Sequence, residues 1–372
     1  MEKTRTAVIA GAGIGGLTAA AALSGRGWQV TVCEQATDLA PVGTAIALAP
    51  NAIRALDAIG IDVGKAGATH SGGGLRRPDG RWVVQVAIGT GEILTMLHRA
   101  ELVELLASHA KDATIELGTT VTGVKLTSGA SALVTSAGER PADLIVVADG
   151  SRSRLRDLLF PGQPGLRYAD YSAFRFFALD PTCKIASETW GRGARFGIVP
   201  MGTGQVYCYA AIDDQAGVTY EDPKAELLRR FGDWHQPIPA LIAAAGDILH
   251  HDVYDLAAPL PAYHSGTIAL LGDAAHPMTP DVGQGGCQAI EDAVVLAQIL
   301  DVGSVRDRLP AYTKARLART VMITKRARQL GRIGQLSAPL AVAARDTGMR
   351  LAGLLPPRWT ARAMAPVLDW RP

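Results

Sequence analysis

The stretch from Thr6 to Glu34 limits the possible folds more than any other part of this chain. Thr6–Ala10 is a short, uncharged, β-branched run that reads as a buried strand. It ends in Gly11-Ala12-Gly13-Ile14-Gly15-Gly16. A helix rich in Ala and Leu follows through Ser24 and stops at Gly25 and Gly27, where Gly25 can supply a left-handed cap. Trp28–Cys33 then reads as a second strand, ending at Glu34. Together these form a β-α-β unit. Gly11 permits the tight turn, Gly13 lets the backbone approach a pyrophosphate, and Gly16 lets helix and strand pack closely. The helix N-terminus offers unpaired N–H groups and roughly half a positive charge. A glycine-rich turn that binds nothing would look similar. Glu34 favours the nucleotide reading, because an acid about 20 residues past the glycines can bind ribose hydroxyls. The motif serves FAD and NAD(P) equally.

Two later segments repeat the strand-to-loop pattern. Asp143–Ala148 is apolar after its first residue and runs into Asp149-Gly150-Ser151. A loop there would lie at the carboxyl edge of a parallel sheet, where ligands bind. Thr267–Leu271 leads into Gly272-Asp273-Ala274-Ala275-His276-Pro277. Gly283, Gly285 and Gly286 expose backbone before a helix expected over Cys287–Leu300, with Ala293, Leu296, Ala297 and Leu300 at packing spacing. Between the first and second motifs, a helix is expected from about Asn51. Leu94–Ala110 reads as containing an amphipathic helix with Leu102, Leu105 and Leu106 on one face. Arg99 stands near its start and, taken alone, reads as a solvated charge.

Composition excludes several classes. Net charge is +2, which makes no electrostatic case for nucleic acid. Lys3 and Arg5 precede a small apolar stretch, as in a signal peptide, but the glycines that punctuate it argue against export. No strongly apolar run is long enough to span a bilayer. Cys33, Cys183, Cys208 and Cys287 show no C-x-x-C spacing and read as reduced thiols in a cytoplasmic protein. No metal site is expected; His250-His251 lacks metal-ligand spacing.

Taken in order, GAGIGG with Glu34, ADGSRSRLR, and GDAAHPMTPDVGQGG with QAIEDA resemble the signatures of the single-component (class A) FAD-dependent aromatic hydroxylases, over nearly the whole chain. The resemblance implies that Gly11, Gly13, Gly15, Gly16, Glu34 and Gln35 hold the ADP half of FAD. It gives Arg99 a contact to FAD phosphate or the flavin side, Val121 a backbone contact to adenine, and Asp149 a part in both FAD and NAD(P)H binding. Asp273 would bind the ribityl chain, and Gly283, Gln284, Gly285, Gly286 and Cys287 would line the isoalloxazine. The helix after them would turn its N-terminal dipole toward the reduced flavin, at on the order of 0.3–1 kcal/mol per contact. Family members commonly carry Ala-Asn where this chain has Gly286-Cys287; the thiol either alters access to the flavin or is a harmless small residue. Halogenases share the fold but usually carry a Trp-x-Trp-x-Ile segment, which is absent here.

Between Arg152 and Gly266 the texture changes. Ala194–Val199 and Gln205–Ile212 alternate like an antiparallel hairpin, and Tyr168–Leu179 reads as another strand. Arg195 and Tyr207 lie on the facing strands. These segments resemble those of bacterial urate hydroxylases, in which the matching Arg and Tyr sit by the substrate. A sheet-face charge and a half-buried tyrosine remain the plain alternative. Arg175 and Tyr209 are weaker candidates. The basic stretch from Lys314 to Arg332 reads as a solvated helix face, with a membrane surface or a nucleotide phosphate as the other option.

The expectation is an α/β chain with α+β elements: a Rossmann-like FAD-binding domain with an inserted β-sheet substrate domain and C-terminal helices. Residues 1–72, 96–165 and 265–310 would form the first, 73–95 and 166–264 the second, and 311–372 the helices. The implied activity is a monooxygenase that uses NAD(P)H and O2 to hydroxylate a small aromatic or heteroaromatic substrate through a flavin C4a-hydroperoxide, as a monomer or homodimer. An epoxidase, a Baeyer–Villiger enzyme, a flavin dehydrogenase or oxidase, and a non-catalytic flavin binder are the alternatives.

Overall fold

The structure, a computed structural model, describes residues 4–39, 43–64, 67–70, 72–86, 94–126, 131–180, 182–202, 204–355 and 357–372. Its helices are α1 (Ile14–Ser24), α2 (Pro50–Asp57), α3 (Arg99–His109), α4 (Arg154–Leu159), α5 (Pro223–Phe231), α6 (Ile238–Ala243), α7 (Gly285–Ile299), α8 (Val305–Gly334), α9 (Pro339–Gly353) and α10 (Pro357–Leu368).

A six-stranded sheet carries the first core. Its order is His264–Ser265, Ile268–Leu270, Leu144–Val147, Thr6–Ala10, Gln29–Cys33 and Thr114–Glu116. All pairings are parallel except the first. The central strands are continuous apolar runs because both faces are covered, as parallel sheets require. Helices α1, α3 and α7 pack here. The antiparallel meander Val121–Leu126, Ser131–Thr135 and Gly138–Ala142 packs against Thr6–Ala10 and Leu144–Val147.

A seven-stranded sheet runs Leu249–Leu256, Leu166–Leu179, Gln205–Asp213, Ala194–Pro200, Ser187–Trp190, Gly73–Arg76 and Trp82–Val86. Strict alternation gives it two different faces. Phe174, Phe176, Phe196, Ile198, Cys208, Ala210 and Ile212 lie under α5 and α6. Arg175, Phe177, Arg195, Val199, Tyr207 and Tyr209 lie on the opposite face, by register. That face meets a small sheet of Ala45–Leu48, Leu94–His98 and Ala68–His70, where Met96 packs with Met201 and Tyr207. Two histidines add polar joints: His70 Nε2 to the Pro200 carbonyl at 2.7 Å, and His98 Nε2 to Gln205 Oε1 at 2.9 Å.

The expected hairpin and the strand before it form as read. Of the segment 73–95, residues 73–86 supply two strands of the large sheet, and 87–93 lie outside the described residues, as does Lys3. Leu94–His98 is a strand of the small sheet, so the helix starts at Arg99. His98 and Glu101 close a capping box there, which fixes the start. The basic helix begins at Val305, ahead of the expected boundary at 310, because the Ser304 side chain accepts the Asp307 N–H. No described helix is long and apolar enough to cross a membrane.

Phe196 sits edge-on against Phe176 at 6.1 Å and Phe231 at 5.4 Å between ring centroids. Phe196→Ala is expected to cost about 3–5 kcal/mol, seen as a lower urea midpoint. An unchanged midpoint would show that α5 and α6 do not depend on this face.

Candidate active site

The three glycine-bearing motifs lie far apart in sequence but leave the same edge of the parallel sheet from three adjacent strands. Gly11 has φ +103°, and a Cβ there would lie 2.6 Å from the Ala148 carbonyl oxygen, so the first and second motifs touch through backbone. At Gly16 a Cβ would lie 1.9 Å from the Gly11 carbonyl oxygen, which is the close helix–strand approach the motif requires. Nothing lies within 4 Å of the position a Cβ would take at Gly13, and no side chain caps α1. A dinucleotide phosphate fits such an uncapped, open N-terminus. Glu34 accepts the Ala12 N–H and the Ala36 N–H, both at 2.8 Å, so its carboxylate is aimed at the glycine loop. Gln35 follows it at the surface. The Thr119 N–H bonds to the Glu34 carbonyl at 2.8 Å, which brings the start of the Val121 strand beside the same loop.

The third motif rests on buried charge. Asp292 of α7 accepts the Gly272 N–H at 2.9 Å and His276 Nε2 at 2.6 Å, and Arg316 Nε of α8 at 2.5 Å. Arg316 also reaches Glu291 at 2.6 Å, and Arg319 adds a second cation to Glu291 at 2.7 Å. Burial alone would push both carboxyls up. For Asp292, His276 and Arg316 reverse this, and for Glu291 the two arginines do, so both stay below their ordinary range. Asn51 of α2 closes the network, donating to Glu291 at 2.6 Å and Gln284 at 3.0 Å.

Asp273 keeps solvent-accessible surface but stands in a concavity, and desolvation there raises its carboxyl against the pull of His276, Arg99, Arg156 and Arg175. Arg99, first residue of α3, is exposed and contributes to the positive field at Asp273. A Cβ at Gly285 would lie 3.8 Å from Asp273 Oδ1, so the acid flanks the start of α7, which no side chain caps. Asp149 keeps accessible surface at the end of its strand; the protein around it partly desolvates its carboxyl and raises it, against the pull of Ser153. Open glycine backbone and two uncapped helix starts supply donors, and the flanking acids supply acceptors, a combination that fits FAD.

Three expectations change at side-chain level. Gln284 is turned inward to Asn51 and Gln288, leaving only its backbone for a ligand. Cys287 is fully buried, and its thiol donates to the Ala47 carbonyl at 3.5 Å; burial pushes it up to about 12, so it is inert. Arg195 is not a free guanidinium awaiting a substrate. It is 4% exposed, bonds Asp281 at 2.6 Å and Gln335 at 2.8 Å, and lies 3.6 Å from Glu188. Tyr207 shares its sheet face but pairs with Val199, whereas Arg195 pairs with Ala211. The two are therefore on the order of 13 Å apart along the strands. Tyr207 packs among Met96, Met201, Phe177 and Tyr209. His250 stacks on Phe174 at 4.3 Å; burial and Arg175 push His251 down to about 4. Among the described residues no cluster could hold a metal.

Sequence reasoning missed Asp281. It accepts from Arg195 and, at 3.0 Å, from the Tyr171 hydroxyl, joining the large sheet to the loop that opens α7. A lone acid in an apolar Pro-Gly segment was its available signal. Asn51, Arg316 and Gln335 gave no signal, because their partners are distant in sequence.

A family model described as FAD binding domain matches residues 3–327. An aurachin C monooxygenase/isomerase from Stigmatella aurantiaca is 37% identical, covering 94% of this chain and 95% of its own. An FAD-dependent urate hydroxylase from Klebsiella pneumoniae is 32% identical, covering 79% and 80%. A crystal structure of Klebsiella pneumoniae HpxO complexed with FAD and uric acid superposes with a TM-score of 0.86 at 28% identity, covering 93% of both chains.

Arg316→Met removes the cation that two buried carboxylates on α7 share, leaving Glu291 to Arg319 and Asp292 to His276 and the Gly272 N–H. It should cost about 3–5 kcal/mol of unfolding free energy, while the exposed, bidentate Arg229→Met should cost less than about 1 kcal/mol. Equal chemical-denaturation midpoints for the two variants would remove the network from its supporting role.

Proposed function

The chain belongs to this FAD-binding-domain family, among the class A FAD-dependent aromatic hydroxylases, and on that premise we propose that NAD(P)H and O2 are its co-substrates and that its ring substrate binds between the large sheet and the start of α7. One observation carries the proposal: the Arg195–Asp281–Tyr171 contacts hold the aromatic sheet face against the loop that leads into α7.

FAD, when bound, supplies the electron transfer and oxygen activation of a hydroxylation. The protein residues bind, orient and exclude water. Gly11, Gly13, Gly16 and Glu34 take the ADP half, with Gln35, Val121 and Arg99 along its length. Asp273 would accept hydrogen bonds from ribityl hydroxyls, donors that its partly desolvated carboxylate otherwise lacks. The backbone of Gly283–Cys287 and the uncapped N-terminus of α7 would hold the flavin and favour negative charge on it. Asp149 stands at the sheet edge for both nucleotides. Phe177, Tyr207 and Tyr209 offer apolar faces to a flat ring. Arg195 acts as a positioning residue that fixes the flavin loop, in place of a direct substrate anchor. The apolar lining favours a quinolone- or phenol-type ring over a polar purine.

Reconstitution with FAD should give a flavoprotein that consumes NAD(P)H faster in the presence of a ring from a panel of phenols, quinolones, hydroxypyridines and purines. Reduction by substrate alone, with NAD(P)H ignored, would instead mark a dehydrogenase or oxidase. Asp273→Ala should weaken FAD retention roughly 10- to 100-fold, as loss of a charge-assisted hydrogen bond does, with the melting temperature of the FAD-free protein unchanged. Unaltered FAD affinity would cancel its role. Arg195→Lys keeps the charge but not the planar fork. It should retain FAD yet divert NAD(P)H electrons to hydrogen peroxide, and fully coupled turnover would exclude the positioning role.

A further inference from the structure

Arg195 does not end at the flavin loop. Its Nε donates to Gln335 Oε1 at 2.8 Å, and Gln335 Nε2 donates to Asp213 Oδ1 at 2.8 Å and, more weakly, to the Gly193 carbonyl at 3.5 Å. Asp213 and Gln335 line a cavity of about 560 Å³ with Asp170, Asp214, Gln215 and Arg332. A hydrogen-bonded line therefore runs from the cavity to Asp281, beside the start of α7.

The Gln335 amide can point only one way. Its oxygen meets a guanidinium N–H, and its nitrogen meets a carboxylate and a carbonyl. Reversed, N–H would face N–H and oxygen would face oxygen. The packing of α8 is shaped to this line as well. A Cβ at Gly331 would lie 2.5 Å from Asp281 Oδ2, and one at Gly334 would lie 2.7 Å from Arg195 Cδ. Gly331, inside the helix, costs roughly 1 kcal/mol relative to alanine, and Gly334 ends it; both leave room where the arginine and its acid pass.

Building on the reading of Arg195 above, we propose that Gln335 and Asp213 are positioning residues that hold the Arg195 guanidinium in its Asp281-facing orientation, with the ionised Asp213 carboxylate setting the Gln335 amide. Burial pushes Asp213 up to about 6. Gln335 and Arg195 draw it down, Asp170 raises it and Arg230 of α5 lowers it; Arg332 and Asp214 face the same cavity. Above that pH the carboxylate accepts from Gln335 Nε2. On gaining a proton it becomes a weaker acceptor for Gln335 Nε2, so the amide whose oxygen meets Arg195 Nε is held less firmly, by the longer contact to the Gly193 carbonyl alone.

The test uses the full-length chain, with and without FAD, labelled with heavy nitrogen in arginine. The Arg195 Nε–H resonance is assigned by its loss in Arg195→Lys. We expect it to shift with a midpoint near pH 6 in the wild type, to stay constant over the same range in Asp213→Asn, and to move at every pH in Gln335→Leu. In the FAD-loaded protein, with whichever panel ring accelerates NAD(P)H consumption, Gln335→Leu should release several-fold more hydrogen peroxide per NAD(P)H at unchanged FAD affinity. A wild-type resonance indifferent to pH, or a peroxide yield equal in the wild type and Gln335→Leu, overturns the proposal. The resonance is read in the FAD-free chain too. A failure of the flavin reading, seen as no FAD bound, is thus distinct from a failure of this one.

Discussion

The rest of the site depends on the buried Asp292 carboxylate. It receives a backbone N–H from Gly272, a ring nitrogen of His276 and the guanidinium of Arg316. Those partners come from the third motif and from α8, while Asp292 itself is on α7. One carboxylate thereby fixes where the Asp273 loop ends, how α7 is rotated and how closely α8 packs. Desolvating two acids and an arginine is expensive, and breaking such a set leaves uncompensated charge. The gain is geometric: the N-terminus of α7 cannot turn without pulling apart interactions from two other elements. A helix dipole favours a developing negative charge only if it is held in place beforehand.

A second set of buried charges does the same for the other wall. Asp281, Arg195, Tyr171 and Gln335 hold the aromatic face of the seven-stranded sheet to the loop before α7. The sheet's own alternation then separates the work. One face is filled with phenylalanine and aliphatic side chains under α5 and α6. The other presents Phe177, Tyr207 and Tyr209 toward the flavin-binding half. Neither wall needs a nucleophilic side chain, since the chemistry resides in the cofactor and the protein supplies position.

How far the sequence was legible follows from the range of the interactions. The glycine loop, Glu34 and the strands around them are local: a hydrophobic run, a tight turn and an acid at fixed spacing are determined within about 30 residues. The hairpin of Ala194–Pro200 and Gln205–Asp213 was legible for the same reason, through its alternation. Leu94–His98 was harder, because an apolar five-residue run suits strand or helix until its partners are known. Arg195 shows the limit most clearly. Its sequence marks a cation on a strand and no more. That its charge is met by Asp281, on a segment 86 residues away, and its Nε by the Gln335 amide oxygen, 140 residues away, is a property of the packed molecule. Gln284 and Cys287 lie in a motif expected to line the flavin, yet their side chains turn into the core between α7 and its neighbours.

The central claim is that this chain positions FAD and an aromatic ring for insertion of one oxygen atom from O2. The most direct measurement is turnover of the FAD-loaded protein under heavy-isotope dioxygen, with mass analysis of the product formed from a ring that accelerates NAD(P)H consumption. The account predicts a product heavier by one labelled oxygen, with NAD(P)H and product in equal amounts. A product that carries oxygen only from water, or one oxidised with no oxygen gained, would contradict it.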